Sequence, residues 1–247
     1  MGKTFLTQIS IAENVIPIKV YVEKRHNTRA SLGSKYVNLR IPQGFIFKPD
    51  VQKHLKWLEG WLKQVQDQKP QALYKYYNSR SYENGDTIRL YDVDYCIHIS
   101  LDSETSLGKI KLVEKEIFIS IPNNKEYDKQ KLIKHLLIKG CQKFFKPRLS
   151  HRVLELNTKY FGKEISTIKL KYNKSNWGSC SSSKNLNFSV RLLLAPSEVI
   201  DYVIIHELTH LVEMNHSDRF WSIVSKIVPL YKECEKFLKM YNYSLDF

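Results

Sequence analysis

His206-Glu207-Leu208-Thr209-His210-Leu211-Val212-Glu213-Met214-Asn215-His216 is the stretch from which the rest of the chain is read. It is an H-E-x-x-H motif with a third histidine six residues past the second. On an α-helix, residues i and i+4 share a face, about 40° apart. His206 and His210 can therefore hold one metal ion between them, and Glu207 can reach a water on that ion. Two imidazoles, a general base and a third ligand that leaves one position open are the parts of a zinc hydrolase site.

The third ligand requires a change of direction. Were the helix to continue past His210, His216 would lie about 240° round the axis from it. The helix is therefore expected to run to about Met214 and to break there, with Asn215 as a left-handed C-cap. Ser217 then caps a new helix from Asp218. The spacing equals that of the pattern H-E-x-x-H-x-x-G-x-x-H, but Glu213 stands at the glycine position, so the turn cannot depend on a glycine here. Glu213, Glu233 and Glu235 compete with His216 for the third place. Glu213 is seven residues from His206 and shares its helical face. It reads as a possible ligand, and more readily as an outer-shell partner or a solvated helix end.

The bulk numbers fit such an enzyme. At 247 residues, with 43% apolar and 26% charged residues, the chain can form one large or two small globular domains and needs no disulfides. No apolar run is long enough for a membrane span, and the first ten residues carry no signal-type apolar segment. Cys96, Cys141, Cys180 and Cys234 are far apart, with no C-x-x-C pair. A reducing, cytoplasmic setting is expected. The net charge is +14, and Lys129 to Lys174 holds 13 Lys or Arg against only Glu155 and Glu164. That stretch reads as a solvated helix face in a lysine-rich chain, or as a contact for a nucleotide or nucleic acid.

Read in order, residues 5–47 are strands. Val15–Val22 and Tyr36–Pro42 partly alternate, and Lys24–Lys35 forms a loop. Residues 49–67 are helical through Val51, Leu55, Leu58, Leu62 and Val65, with Trp57 and Trp61 packed beside that stripe and Pro70 ending it. Strands are expected over 87–90, 95–101 and 116–121. A long helix follows from Asp128 to Tyr160, bent or broken at Pro147, with Cys141 in its core stripe. Ile165–Tyr172 and Leu186–Leu194 read as strands that could form a hairpin across a polar connection. Pro196 opens the motif helix. The expected class is α+β. A β-rich N-terminal region with one helix occupies 1–125, and a zincin-like metal-hydrolase domain occupies 126–247, with a small sheet packed on the active-site helix.

Trp177-Gly178-Ser179-Cys180, Arg191-Leu192, Ala195-Pro196, Asp201-Tyr202-Val203, the H-E-x-x-H stretch, Asn215-His216-Ser217 and Phe220-Trp221 together resemble the YgjP-like metallopeptidase family in order and spacing. The strong match covers about residues 170–222. The resemblance implies His206, His210 and His216 as ligands to one zinc ion per chain and Glu207 as the catalytic residue. One departure is Asn176, where family members usually carry Arg, so an anion contact made by that Arg is not carried over.

The expected chemistry is hydrolysis by a Glu-activated, zinc-bound water acting on a peptide or protein. Alternatives are hydrolysis of nucleoside triphosphates, which lacks a Gly-rich phosphate loop in this sequence, and a nucleic-acid-associated protease or binding protein, since the zinc motif also resembles that of SprT-like proteases. Four further residues are candidates for substrate or outer-shell contacts. Trp177 and Ser179 lie in the loop before the motif helix. Arg191 reads as a strand residue, more often at the surface. Glu213 follows the motif. Direct zinc binding by Cys180 is disfavoured.

Overall fold

Apolar side chains at alternate positions turn the start of the chain into a sheet. In the computed structural model, which describes all residues except 1–2, 12–13, 34, 44–49, 70, 75, 77–79, 104–106, 124–127 and 242–244, the chain divides into two compact units, 1–80 and 81–247. In the first unit, β1 (Thr4–Ile11), β2 (Asn14–Glu23), β3 (Arg29–Leu32) and β4 (Val37–Pro42) pair in the order β1-β2-β4-β3. The expected loop over 24–35 thus contains a strand, β3, which lies antiparallel to β4. Ile16, Ile18, Val20, Val37, Leu39 and Ile41 are fully buried together with Leu58 and Leu62 of α1 (Val51–Gln68). Asp50 caps α1 by accepting from the Lys53 N–H at 3.1 Å. Trp61 packs on this core, but Trp57 is 46% exposed and does not share its role. A short helix, α2 (Gln71–Tyr74), follows. Pro70, expected to end α1, lies outside the described residues.

The second unit begins with β5 (Thr87–Leu90), β6 (Val93–Asp102), β7 (Lys109–Val113) and β8 (Glu116–Pro122), in the order β5-β6-β8-β7. Their inner face packs on α3 (Lys129–Tyr160). The same core takes in the metal-motif helix, so residues 81–125 fall in the second unit and the division comes between Arg80 and Ser81, not near 125. Helix α3 runs through Pro147 without a break. Pro147 and Lys143 both face solvent, so water can satisfy the carbonyl that the proline deprives of a partner. Leu149, Val153 and Leu156 then carry the buried stripe onward.

A second small sheet supports the site. It consists of β9 (Thr167–Lys171), β10 (Gly178–Cys180) and β11 (Asn185–Ser189), in the order β10-β11-β9. The hairpin expected between the outer two segments does not form. β9 and β11 are parallel neighbours, and the polar connection itself contributes β10, antiparallel to β11. Strand β11 also stops early. Val190, Arg191, Leu192 and Leu193 are all buried, so the alternation that marks a half-buried strand ends here. Residues Val190–Leu194 coil into a 3-10 turn before α4 (Ser197–Thr209), α5 (Asp218–Ile227) and α6 (Tyr231–Tyr241). Among the described residues, no helix is long and apolar enough to cross a membrane.

Candidate metal centre

Helix α4 presents its histidines at the point where it ends. The last helical residue is Thr209 and His210 is the C-cap. This is earlier than the end expected near Met214, and the left-handed cap at Asn215 is absent, since the non-glycine residues with positive φ among those described are Tyr91, Asp92, Glu114 and Lys184. The physical reason is local. Val212 and Met214 are 36% and 50% exposed, so no core rewards another helical turn. The Thr209 hydroxyl donates to the Ile205 carbonyl, and the chain tightens through short-range bonds from Leu211 to Leu208 and from Val212 to Thr209. Ser217 caps α5 as expected, accepting from the Phe220 N–H.

This turn brings His216 back onto the helix. Its Nε2 lies 3.0 Å from His206 Nε2, and the ligand atoms of His206, His210 and His216 all fall within 4.8 Å of one another. Burial, with the neighbouring imidazoles adding to it, pushes His206 down to about 4, so its ring is neutral at ordinary pH. His210 is likewise lowered, chiefly by burial. Its Nδ1 meets the Glu213 carbonyl oxygen at 3.1 Å, and a carbonyl only accepts, so Nδ1 carries the proton and Nε2 keeps its lone pair. Three imidazoles converging in this way fit a divalent ion such as zinc. Glu213 thus supports His210 through its backbone. Among the described residues, Glu213, Glu233 and Glu235 are absent from the cluster of potential ligands that the three histidines form.

Phe220 organises all three rings. It is fully buried, and its ring centroid lies 4.9, 4.6 and 4.7 Å from those of His206, His210 and His216. Trp221 stacks on His216 at 5.7 Å and is itself stacked by Tyr231 at 5.2 Å. Neither Phe220 nor Trp221 was singled out for a site role from sequence, although the Ser217 cap fixes both at the start of α5.

Glu207 is 5% exposed, and burial pushes its carboxyl up to about 8. A cation at the histidines would pull it back down. The carboxylate lies against the backbone of β10: a Cβ placed on Gly178 would meet Glu207 Oε1 at 2.6 Å. Beside it opens a cavity of about 540 Å³ lined by Trp177, Tyr202, Val203, Glu235, Leu238 and Lys239, among others. Tyr202 is four residues before His206 and was within reach of helical periodicity. The α6 residues arrive only through tertiary packing.

The remaining candidates separate. Trp177 walls this cavity while packing on the core. Ser179 faces Asn187 across the β10–β11 pair, its oxygen accepting from Asn187 Nδ2 at 3.2 Å. Arg191 is not a surface residue. It is 3% exposed, donates to the carbonyls of Leu245 at 2.8 Å and Lys174 at 3.1 Å, and stands over the Trp177 ring at 4.6 Å. It braces the loop from beneath and is not among the residues lining the cavity. Cys180 is half-buried, and burial followed by the Glu207 charge pushes its thiol up to about 11. In the basic stretch, Arg152 pairs with Asp201, Lys174 with Asp246, and Arg148 stands over Tyr91, so part of that charge is engaged within the fold.

A family model described as YgjP-like, metallopeptidase domain, matches residues 31–241. Two solved structures resemble a smaller part of the chain. The metallopeptidase zymogen of Pyrococcus abyssi abylysin is 21% identical and matches 37% of this chain and 92% of its own, with a TM-score of 0.34. The metallopeptidase zymogen of Methanocaldococcus jannaschii jannalysin is 23% identical and matches 36% and 92%, with a TM-score of 0.33. No curated protein sequence matches the chain.

Proposed function

The chain belongs to the YgjP-like family of metallopeptidase domains, which makes it a metal-dependent peptidase, and on that premise we propose that His206, His210 and His216 hold one zinc ion and that Glu207 is its general base. The observation that carries this reading is the convergence of three imidazoles beside a buried carboxylate, with burial holding the His206 ring neutral and ready to ligate.

An ion held by His206, His210 and His216 would supply Lewis acidity for the scissile carbonyl and for water. Glu207 accepts the proton of the attacking water and delivers it to the departing amine. Burial and the close backbone at Gly178 restrict where its carboxylate can lie, which favours both transfers. An extended peptide can bind by adding a strand to an exposed sheet edge. β11 is paired on both sides, whereas β10 is the edge strand of its sheet and runs beside α4, so β10 is the strand that would receive an extended peptide. The walls formed by Trp177, Tyr202, Val203 and Leu238 suit an apolar substrate side chain.

Metal content tests the ligand set. Replacing His210 by Ala is expected to remove about one ion per chain and peptide hydrolysis together. Unchanged metal content in that variant would refute the assignment. Chelation is expected to stop hydrolysis of peptides, and added zinc to restore it.

A further inference from the structure

A second cluster of ligating side chains sits on the sheet of β5 to β8. β6 and β8 run parallel, with Cys96 opposite Glu116 and His98 opposite Phe118. Residues two apart on a strand share a face, so Cys96, His98 and Glu116 all lie on the outer, partly exposed side. The alternate residues Ile97, Ile117 and Ile119 fill the core behind them. His98 Nε2 lies 2.5 Å from Glu116 Oε2, and the Cys96 sulfur completes a set of donor atoms within 4.8 Å of one another. The His98 ring stacks on Phe118 at 4.9 Å with an interplanar angle of 18°, which fixes the plane of the imidazole. The flanking strands place uncharged Thr87 directly opposite Cys96 and Val113 directly opposite Glu116. A cation, Lys111, stands opposite Phe118 on the same face, one pair along from Glu116.

We propose that Cys96, His98 and Glu116 form a second divalent-cation site, separate from the three histidines, for a borderline ion such as zinc. A thiolate, an imidazole and a carboxylate are each donors that zinc accepts, and the thiolate disfavours magnesium and calcium. Zinc bonds of about 2.0–2.3 Å in a tetrahedral arrangement put donor atoms roughly 3–4 Å apart. Glu116 has only to withdraw by about 1 Å from His98, which a partly exposed glutamate does by rotating its own side chain. On binding, the Cys96 thiol proton passes to solvent, and His98 ligates through Nε2 as the neutral imidazole with its one ring proton on Nδ1. Three protein donors on a partly exposed face leave a fourth position for water, so the ion exchanges with solution. While bound, it ties β6 to β8.

Cobalt(II) titration of the full-length chain tests this, because a thiolate ligand gives a strong near-ultraviolet charge-transfer band and a histidine-only centre does not. The expected result is that the His206→Ala chain still binds about one cobalt with that band. Cys96→Ser should lose the band and one ion while keeping peptide hydrolysis. His98→Gln, which retains the thiol, should weaken binding by about tenfold or more. A wild-type titration without the band would overturn the proposal. So would a band that persists in Cys96→Ser, which would assign the thiolate elsewhere.

Discussion

Gly178 and Glu207 touch so closely that no side chain fits between them: a Cβ on Gly178 would stand 2.6 Å from the carboxylate oxygen and 2.7 Å from Cγ. The glycine of the W-G-S-C element is thus a requirement of the carboxylate one residue after the first histidine, and not of a turn. Its φ is not positive.

Gly178→Ala is therefore expected to displace Glu207 and leave the histidines in place. Peptide hydrolysis should fall by about 100-fold, since a displacement on the order of 1 Å has that effect on positioned groups. Metal content should stay at the wild-type value. Steady-state kinetics with metal analysis checks this, and full activity would contradict the contact.

Phe220 underlies all three imidazoles, so its loss should act on metal as well as on the core. Phe220→Ala is expected to cost about 3–5 kcal/mol. Phe220→Leu retains most of the volume and should fold, with weaker metal binding than the wild type. Competition with a chromophoric chelator measures the affinity; an unchanged value in Phe220→Leu would show that the rings orient themselves without it.

Asp92 reaches across from the β5–β6 turn to cap the motif helix, its Oδ2 accepting from the Ser197 N–H at 2.9 Å. Hydrogen bonds from Ser197 hold the Asp92 carboxyl below the usual range, with a smaller contribution from Arg89. The folded value lies below the unfolded one, so the contribution is full above about pH 4 and is lost as pH falls through the folded value. The side chain is 39% exposed, and a charge at a helix N-terminus contributes about 0.3–1 kcal/mol. Asp92→Asn tolerates the positive φ at this position and removes only the charge. Urea midpoints should favour the wild type at pH 7 and converge with the variant in acid. A constant difference at both pH values would contradict the linkage.

Arg191→Lys should destabilise the chain by about 1.5–3 kcal/mol, because one ammonium cannot replace a fork that meets both the Leu245 and Lys174 carbonyls. Activity should fall with it, as Trp177 loses its support. Urea unfolding decides; equal midpoints would show the fork to be dispensable.

The sequence made the metal-motif helix legible because two histidines four apart need only the period of a helix to be placed together. The Ser217 cap was legible for the same local reason. The end of α4 was not, since it depends on Val212 and Met214 finding no core, which is a tertiary fact. Strand β10 was hidden because three small residues, Gly178, Ser179 and Cys180, at a sheet edge carry no alternation. Arg191 was misread as a surface strand residue because Val190–Leu194 buries consecutive positions in a 3-10 turn. Glu235 was weighed from sequence only as a possible ligand, and Leu238 and Lys239 of the same helix, α6, line the cavity with nothing near the motif to point to them.

In the proposed mechanism Glu207 moves the proton while three histidines hold the ion. The most direct test is peptide hydrolysis by zinc-loaded Glu207→Gln, with metal content measured on the same sample. The predicted result is a loss of about 10²–10⁴-fold in kcat with wild-type zinc content. Undiminished hydrolysis by a zinc-loaded Glu207→Gln chain would contradict it.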